Sequence, residues 1–199
     1  MARPRQISDE QIDAAARATF VKHGRAAPVS LVAQKLGVSH TALLQRAGSK
    51  DALLVRALSP GRSWSLLVAQ LTVPPGPGNG RAQLKVLLGE VLAFHEQMLP
   101  GLMVLRSGSL GTPLAPGEEP PTLLVRRLLK AWLMRAAPLS PSRAAVVAEA
   151  VLGAIEARCF NAYLGGPAFV AGTPRHFVHQ LVTGLLPELS SPSTRRSSK

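Results

Sequence analysis

The sequence predicts an all-α protein, with an N-terminal three-helix helix-turn-helix head followed by a larger helical-bundle body. Three observations support this. Apolar residues recur at helical spacing along nearly the whole chain, without a convincing alternating strand or an internal repeat. Serine caps, glycines and prolines mark helix starts and stops at regular intervals. Two short helices flank the turn Lys35-Leu36-Gly37-Val38-Ser39. The expected organisation is a head over residues 1–58, a body over 59–189 and a disordered Ser-, Pro- and Arg-rich tail over 190–199.

The first helix is expected over 8–23. Ser8 and Gln11 have capping-box spacing, Ile7 and Ile12 have hydrophobic-staple spacing, and Gly24 is a natural stop. Ile12, Ala15, Ala16 and Phe20 repeat on one face. Pro28 opens a second helix that carries Leu31, Val32 and Leu36 and ends at Gly37. Ser39 caps a third helix over about 39–46, and Ser49 caps the next, which turns Leu53, Leu54, Ala57 and Leu58 inward. Ser59-Pro60-Gly61 should break the chain before a helix at 62–72. Residues 74–80 read as a loop, followed by helices at 81–98, 100–107, 121–137, 140–164 and 174–188. The Gly- and Pro-rich stretch 108–121, with Glu118 and Glu119, reads as a mobile connection.

Composition narrows the function classes. A chain of 199 residues buries roughly 70% of its unfolded surface and needs no covalent staples. Its single cysteine, Cys159, excludes an internal disulfide and a cysteine-rich zinc site, and in a helix beside Ile155, Phe160 and Tyr163 it reads as a buried small residue. No run of about 18 apolar residues and no apolar signal core is present, so a cytoplasmic protein without membrane contact is expected. Lys and Arg number 23 against 11 Asp and Glu, a net +12 that favours polyanionic partners. No paired carboxylates, Gly-rich phosphate loop or nucleophile with a base stands at a recognisable spacing, so neither catalysis nor a cofactor is expected. His176 and His179 lack an evident third metal ligand and read as surface or interface residues.

A helix-turn-helix can lay its second helix in the major groove of duplex DNA. Ser39, His40, Thr41, Gln45 and Arg46 would then offer polar contacts, with Arg suited to guanine and Gln to adenine. Lys50 and the free N–H groups behind the Ser49 cap would meet a backbone phosphate. The stretches Ile12-Asp13-Ala14-Ala15-Ala16 through Phe20 to Gly24, Val32 to Ser39, Leu43 and Ser49-Lys50-Asp51-Ala52-Leu53-Leu54 resemble the N-terminal domain of TetR-family transcriptional regulators over residues 8–58. Leu44 and Ala47 depart from it, standing where the family usually carries Tyr and Phe. The resemblance implies a homodimer, a double-stranded operator, an effector bound by the body, and DNA contacts at Ser30, His40, Thr41, Leu44, Gln45, Arg46 and Lys50.

The helix at 140–164 is apolar nearly all round, which requires cover on more than one side. The expected dimer seam takes Ala148, Val151, Leu152 and Ile155 from it and Phe177, Leu181 and Leu185 from the last helix. Phe94, Met98, Met103, Trp132, Met134 and Phe160 are candidate walls of a pocket for a small hydrophobic effector, or simply core filling. The expected function is a ligand-responsive repressor on a palindromic operator. The alternative is a ligand-binding or protein-interaction dimer that has lost specific DNA reading, which Leu44, Ala47 and the Pro60-Gly61 break would favour.

Overall fold

A computed structural model describes residues 7–59, 61–107 and 119–187. These form nine α-helices and one 3₁₀ turn, with no strand among the described residues. The helices are α1 (Asp9–His23), α2 (Val29–Leu36), α3 (His40–Ala47), α4 (Lys50–Leu58), α5 (Gly61–Thr72), α6 (Gly80–Arg106), α7 (Pro121–Ala136), α8 (Pro141–Gly165) and α9 (Pro174–Leu185). Pro60, the connection over 108–118 and the tail over 190–199 lie outside the described residues. The chain divides into two compact units, Met1–Gly61 with Gln97–Pro113, and Arg62–Glu96 with Leu114–Lys199.

In the first unit, local chemistry sets the starts of α1, α3 and α4 and the turn after α2. The Ser8 hydroxyl accepts from the Gln11 N–H at 3.2 Å while Gln11 Oε1 accepts from the Ser8 N–H at 2.9 Å, completing the capping box of α1. Ser39 accepts from the Ala42 N–H at 3.1 Å and Ser49 from the Ala52 N–H at 3.0 Å, so α3 and α4 each start on a serine. Gly37 adopts φ 67°, ψ 32°, a left-handed conformation that a residue with a Cβ enters at a cost. It reverses the chain between α2 and α3 and lets Val38 N–H reach the Ala33 carbonyl at 3.1 Å. Phe20, Val32, Leu43, Leu53 and Leu54 are buried at the centre, and Val104 and Leu105 from the end of α6 join the same cluster.

Helix α6 overrides a sequence signal. Helices were expected at 81–98 and 100–107, but the helix runs unbroken through Pro100. Proline removes one N–H and its ring crowds the carbonyl of Glu96, a cost that a helix interior tolerates only when packing compensates. Two features of the first unit hold the helix beyond this point. Val104 and Leu105 are buried beyond the proline, and the Arg17 guanidinium donates to the Gln97 carbonyl. Gly101 completes the junction, because a Cβ there would meet the Leu58 carbonyl at 3.1 Å.

In the second unit, α7 packs along α8. Buried Arg158 donates to the Ala171 and Gly172 carbonyls at 2.8 Å each and lies 4.9 Å over the Phe177 ring, which fastens the turn between α8 and α9. Cys159 is buried, and burial pushes its thiol up to about 11.

The residues of the expected dimer seam fall into two groups. Ala148, Val151, Leu152 and Ile155 are all buried inside the chain itself, so they are core. Phe177, Leu181 and Leu185 are half-buried. The face of α8 left open carries Val146, Ala150, Gly153, Ala157, Phe160 and Leu164, all exposed or half-exposed. Their alternate spacing of four and three residues is that of a single helical stripe. A helix apolar all round offers two such stripes, and periodicity alone could not choose between them.

Candidate nucleic-acid interface

Helix α3 is anchored by its inner face and open on its outer one. Leu43 and Ala47 are buried, and Leu44 is half-buried against the same core. Ser39, His40, Thr41, Gln45 and Arg46 are exposed, as is Ser30 on α2. Three and four residues apart, Thr41, Leu44 and Gln45 follow one side of the helix. Of the side chains proposed from the sequence for base contact, Thr41 and Gln45 share that side. Leu44 carries no hydrogen-bonding group and contributes only apolar area there.

The cations around this face are held by internal acceptors. Arg46 Nε lies 2.8 Å from Asp9 Oδ1 in the first turn of α1, and Arg46 Nη1 donates to the Ile7 carbonyl. Lys50 Nζ donates to the Ala26 carbonyl at 3.3 Å, beside the start of α4. Arg25 pairs with Asp51 at 3.5 Å. His23, Arg25, Lys50 and Ser107 line a shallow depression of about 580 Å³ at this end of α4. Sequence reasoning identified Lys50 there but missed Arg25, a loop residue outside any periodic pattern.

Arg17 is a second residue that the sequence did not single out. It extends from α1 to donate to the Ala57 and Leu58 carbonyls at 3.2 and 3.4 Å, the unsatisfied C-terminal acceptors of α4. Partial burial pulls its pKa down from the usual arginine value. An apolar face flanking an arginine carries no marker for such a role.

The six candidate pocket residues are divided between the two units. Phe94 and Trp132 are buried in the second unit, Phe94 lying 5.5 Å from the Trp64 ring. Met134 and Phe160 are each 42% exposed, and Met98 and Met103 belong to the first unit. A groove of about 550 Å³ instead lies between α6 and α9 in the second unit. Val86, Leu92, Ala93 and Val178 line it, with Lys85, Glu90, Glu96, Arg175 and His179. Lys85 Nζ lies 2.8 Å from His179 Nδ1. None of the six expected residues lines this groove.

No protein-family model and no curated protein matches the sequence. Solved structures do match along nearly the full chain. A transcriptional regulator from Rhodococcus sp. Rha1 is similar at TM-score 0.63 and 21% identity, covering 91% of this chain and 97% of that one. A TetR-like transcriptional regulator from Rhodococcus sp. RHA1 has TM-score 0.60 and 19% identity, covering 92% and 97%. The TetR-family regulator PfmR from Thermus thermophilus has TM-score 0.58 and 19% identity, covering 92% and 100%. The fold is that of the TetR-type regulators. In this fold the helix-turn-helix is α2 and α3, and the serine-capped α4 follows it.

Proposed function

We propose that the chain is a TetR-type transcriptional regulator, a homodimeric repressor that reads a palindromic operator with α3 of each subunit and responds to a small hydrophobic ligand. The observation that carries this reading is the exposed outer face of α3. Thr41 and Gln45 project from a helix whose opposite side is locked into the head by Leu43 and Ala47, and His40 is exposed in its first turn. That is the geometry required of a helix entering a major groove. The +12 net charge supplies the long-range attraction to a polyanion.

The open stripe Val146, Ala150, Gly153, Ala157, Phe160 and Leu164 supports the dimer. The consecutive small residues Ala150, Gly153 and Ala157 at its middle let a second helix approach closely, and Val146, Phe160 and Leu164 at 61, 42 and 66% exposure gain most from cover. The groove between α6 and α9 supports ligand binding, since its volume lies within the range of about 300–1,000 Å³ usual for small-molecule sites. Ligand that prefers one arrangement of the heads would shift the population away from the operator-binding state. No described helix is long and apolar enough to cross a membrane.

A mobility-shift titration tests the reading, with DNA upstream of the chain's own gene against a random duplex of equal length. Tighter binding to the upstream DNA supports the regulator; equal binding to both removes it. One observation favours a ligand-binding or protein-interaction dimer without specific reading, namely that Leu44 offers no donor while Arg46 and Lys50 are engaged within the head. Saturable dimerisation with no salt-sensitive DNA affinity would decide for that second reading.

A further inference from the structure

The two contacts of Arg46 determine what this arginine can do. An arginine reads guanine through two parallel N–H groups, taken either from the Nη1–Nη2 edge or from the Nε–Nη2 edge of its planar fork. Here Nε faces Asp9 Oδ1 at 2.8 Å and Nη1 donates to the Ile7 carbonyl. The single N–H of Nε is thereby taken, which closes the Nε–Nη2 edge, and one of the two N–H groups of Nη1 beside the other edge is committed as well. His40, Thr41 and Gln45 have no side-chain hydrogen bond among the described residues and stay available.

We infer that Asp9 holds Arg46 off the DNA: the acidic first turn of α1 limits the affinity of the head, Arg46 is a cation held in reserve, and base reading falls to His40, Thr41 and Gln45. The inference rests on the proposed DNA-reading role of α3. Its physical basis is competition between two anions, a carboxylate fixed within the head and a phosphate of the duplex, for one guanidinium. The side chains of Arg46 and Asp9 are 45 and 58% exposed. Asp9 and the Ile7 carbonyl hold the guanidinium together, and neutralising the carboxylate removes the charged member of the two. The Ile7 carbonyl that would remain is uncharged and competes poorly with a phosphate.

The test is a thermodynamic cycle of wild type, Asp9→Asn, Arg46→Ala and the double variant. Fluorescence anisotropy is measured with the upstream duplex and the random duplex over a range of salt concentrations. Asp9→Asn is expected to tighten binding to both duplexes and to steepen the log–log salt slope by about 0.9, the increment for one added phosphate contact. Arg46→Ala alone is expected to weaken binding by less than about threefold, because the wild-type side chain is committed to Asp9. In the Arg46→Ala background, Asp9→Asn should leave the slope unchanged.

A larger loss in Arg46→Ala overturns the inference, since Arg46 would then read DNA in spite of Asp9. An unchanged slope in Asp9→Asn overturns it as well. Steepening that persists without Arg46 also does so, because it would reflect only the general removal of negative charge. Asp9→Ser, which keeps a residue suited to a helix start, repeats the measurement independently of the amide. If wild type binds neither duplex, the regulator reading fails first and visibly, apart from any effect of Asp9.

Discussion

The helix-turn-helix and helix α8 solve the problem of folding in opposite ways. The helices α2 and α3 are eight residues each, too short to persist alone, and they hold because Ser39, Gly37 and the buried Val32 and Leu43 act on them from both ends and one side. Helix α8 is 25 residues long, and apart from its Ser140 cap little local chemistry positions it. It is apolar on the face it buries and apolar on the face it leaves open. A helix-turn-helix so constrained has one outer surface to offer, and that surface is polar. The body offers a surface resembling an interior, and it is suited to a second copy.

The largest expected effect separates the two faces of α8. Ala157→Glu, on the open stripe, should convert the dimer to a monomer in sedimentation velocity with little change in helicity. Ile155→Ala, two residues away but fully buried, should leave the dimer intact and lower stability by about 2–5 kcal/mol in denaturant titrations. The reverse pattern would return the seam to the buried face. Next comes the head, where Phe20 is wholly buried. Phe20→Ala should cost about 3–5 kcal/mol and abolish DNA binding as the support of α3 loosens. Retained operator affinity would show that the recognition helix does not depend on this core.

Smaller effects sharpen the functional side. Gln45→Ala should cost about 1–3 kcal/mol of discrimination between upstream and random DNA, measured as the ratio of the two dissociation constants. Ser8→Ala removes the reciprocal cap of α1 and should lower thermal stability by about 1 kcal/mol. Cys159 gives a pH signature of modest size. Its thiol is raised from 9.0 to about 11, so the native state keeps a proton that the unfolded chain releases. Its stabilising contribution is complete below about pH 9 and is lost as the pH rises through about 11. Cys159→Ala should flatten this alkaline decline, and the native thiol should resist a disulfide reagent at about pH 8 until the chain unfolds.

Most of the head was legible because its information is local. Ser8, Ser39 and Ser49 sit where a free N–H must be satisfied, and Gly37 stands where the backbone turns left-handed. These requirements act over four or five residues and leave a mark in the residue order. Arg46 shows the limit of such reasoning. Its place on α3 was readable, but its commitment to Asp9 joins residues 37 positions apart, and no local pattern encodes that pairing. Burial is hidden for a similar reason, since bulk and polarity do not tell Trp132 in the core from Met134 at the surface two residues later.

The sequence by itself determined the all-α class, the near-complete order of helices and the polar outer face of α3, because caps, glycines and apolar period are short-range constraints with few solutions. Tertiary structure alone decided which stripe of α8 stays open, that α6 runs through Pro100, and which acceptors engage Arg46 and Arg17. Each of those outcomes depends on what lies opposite a residue in space, and a side chain's own neighbours in the chain carry no record of it.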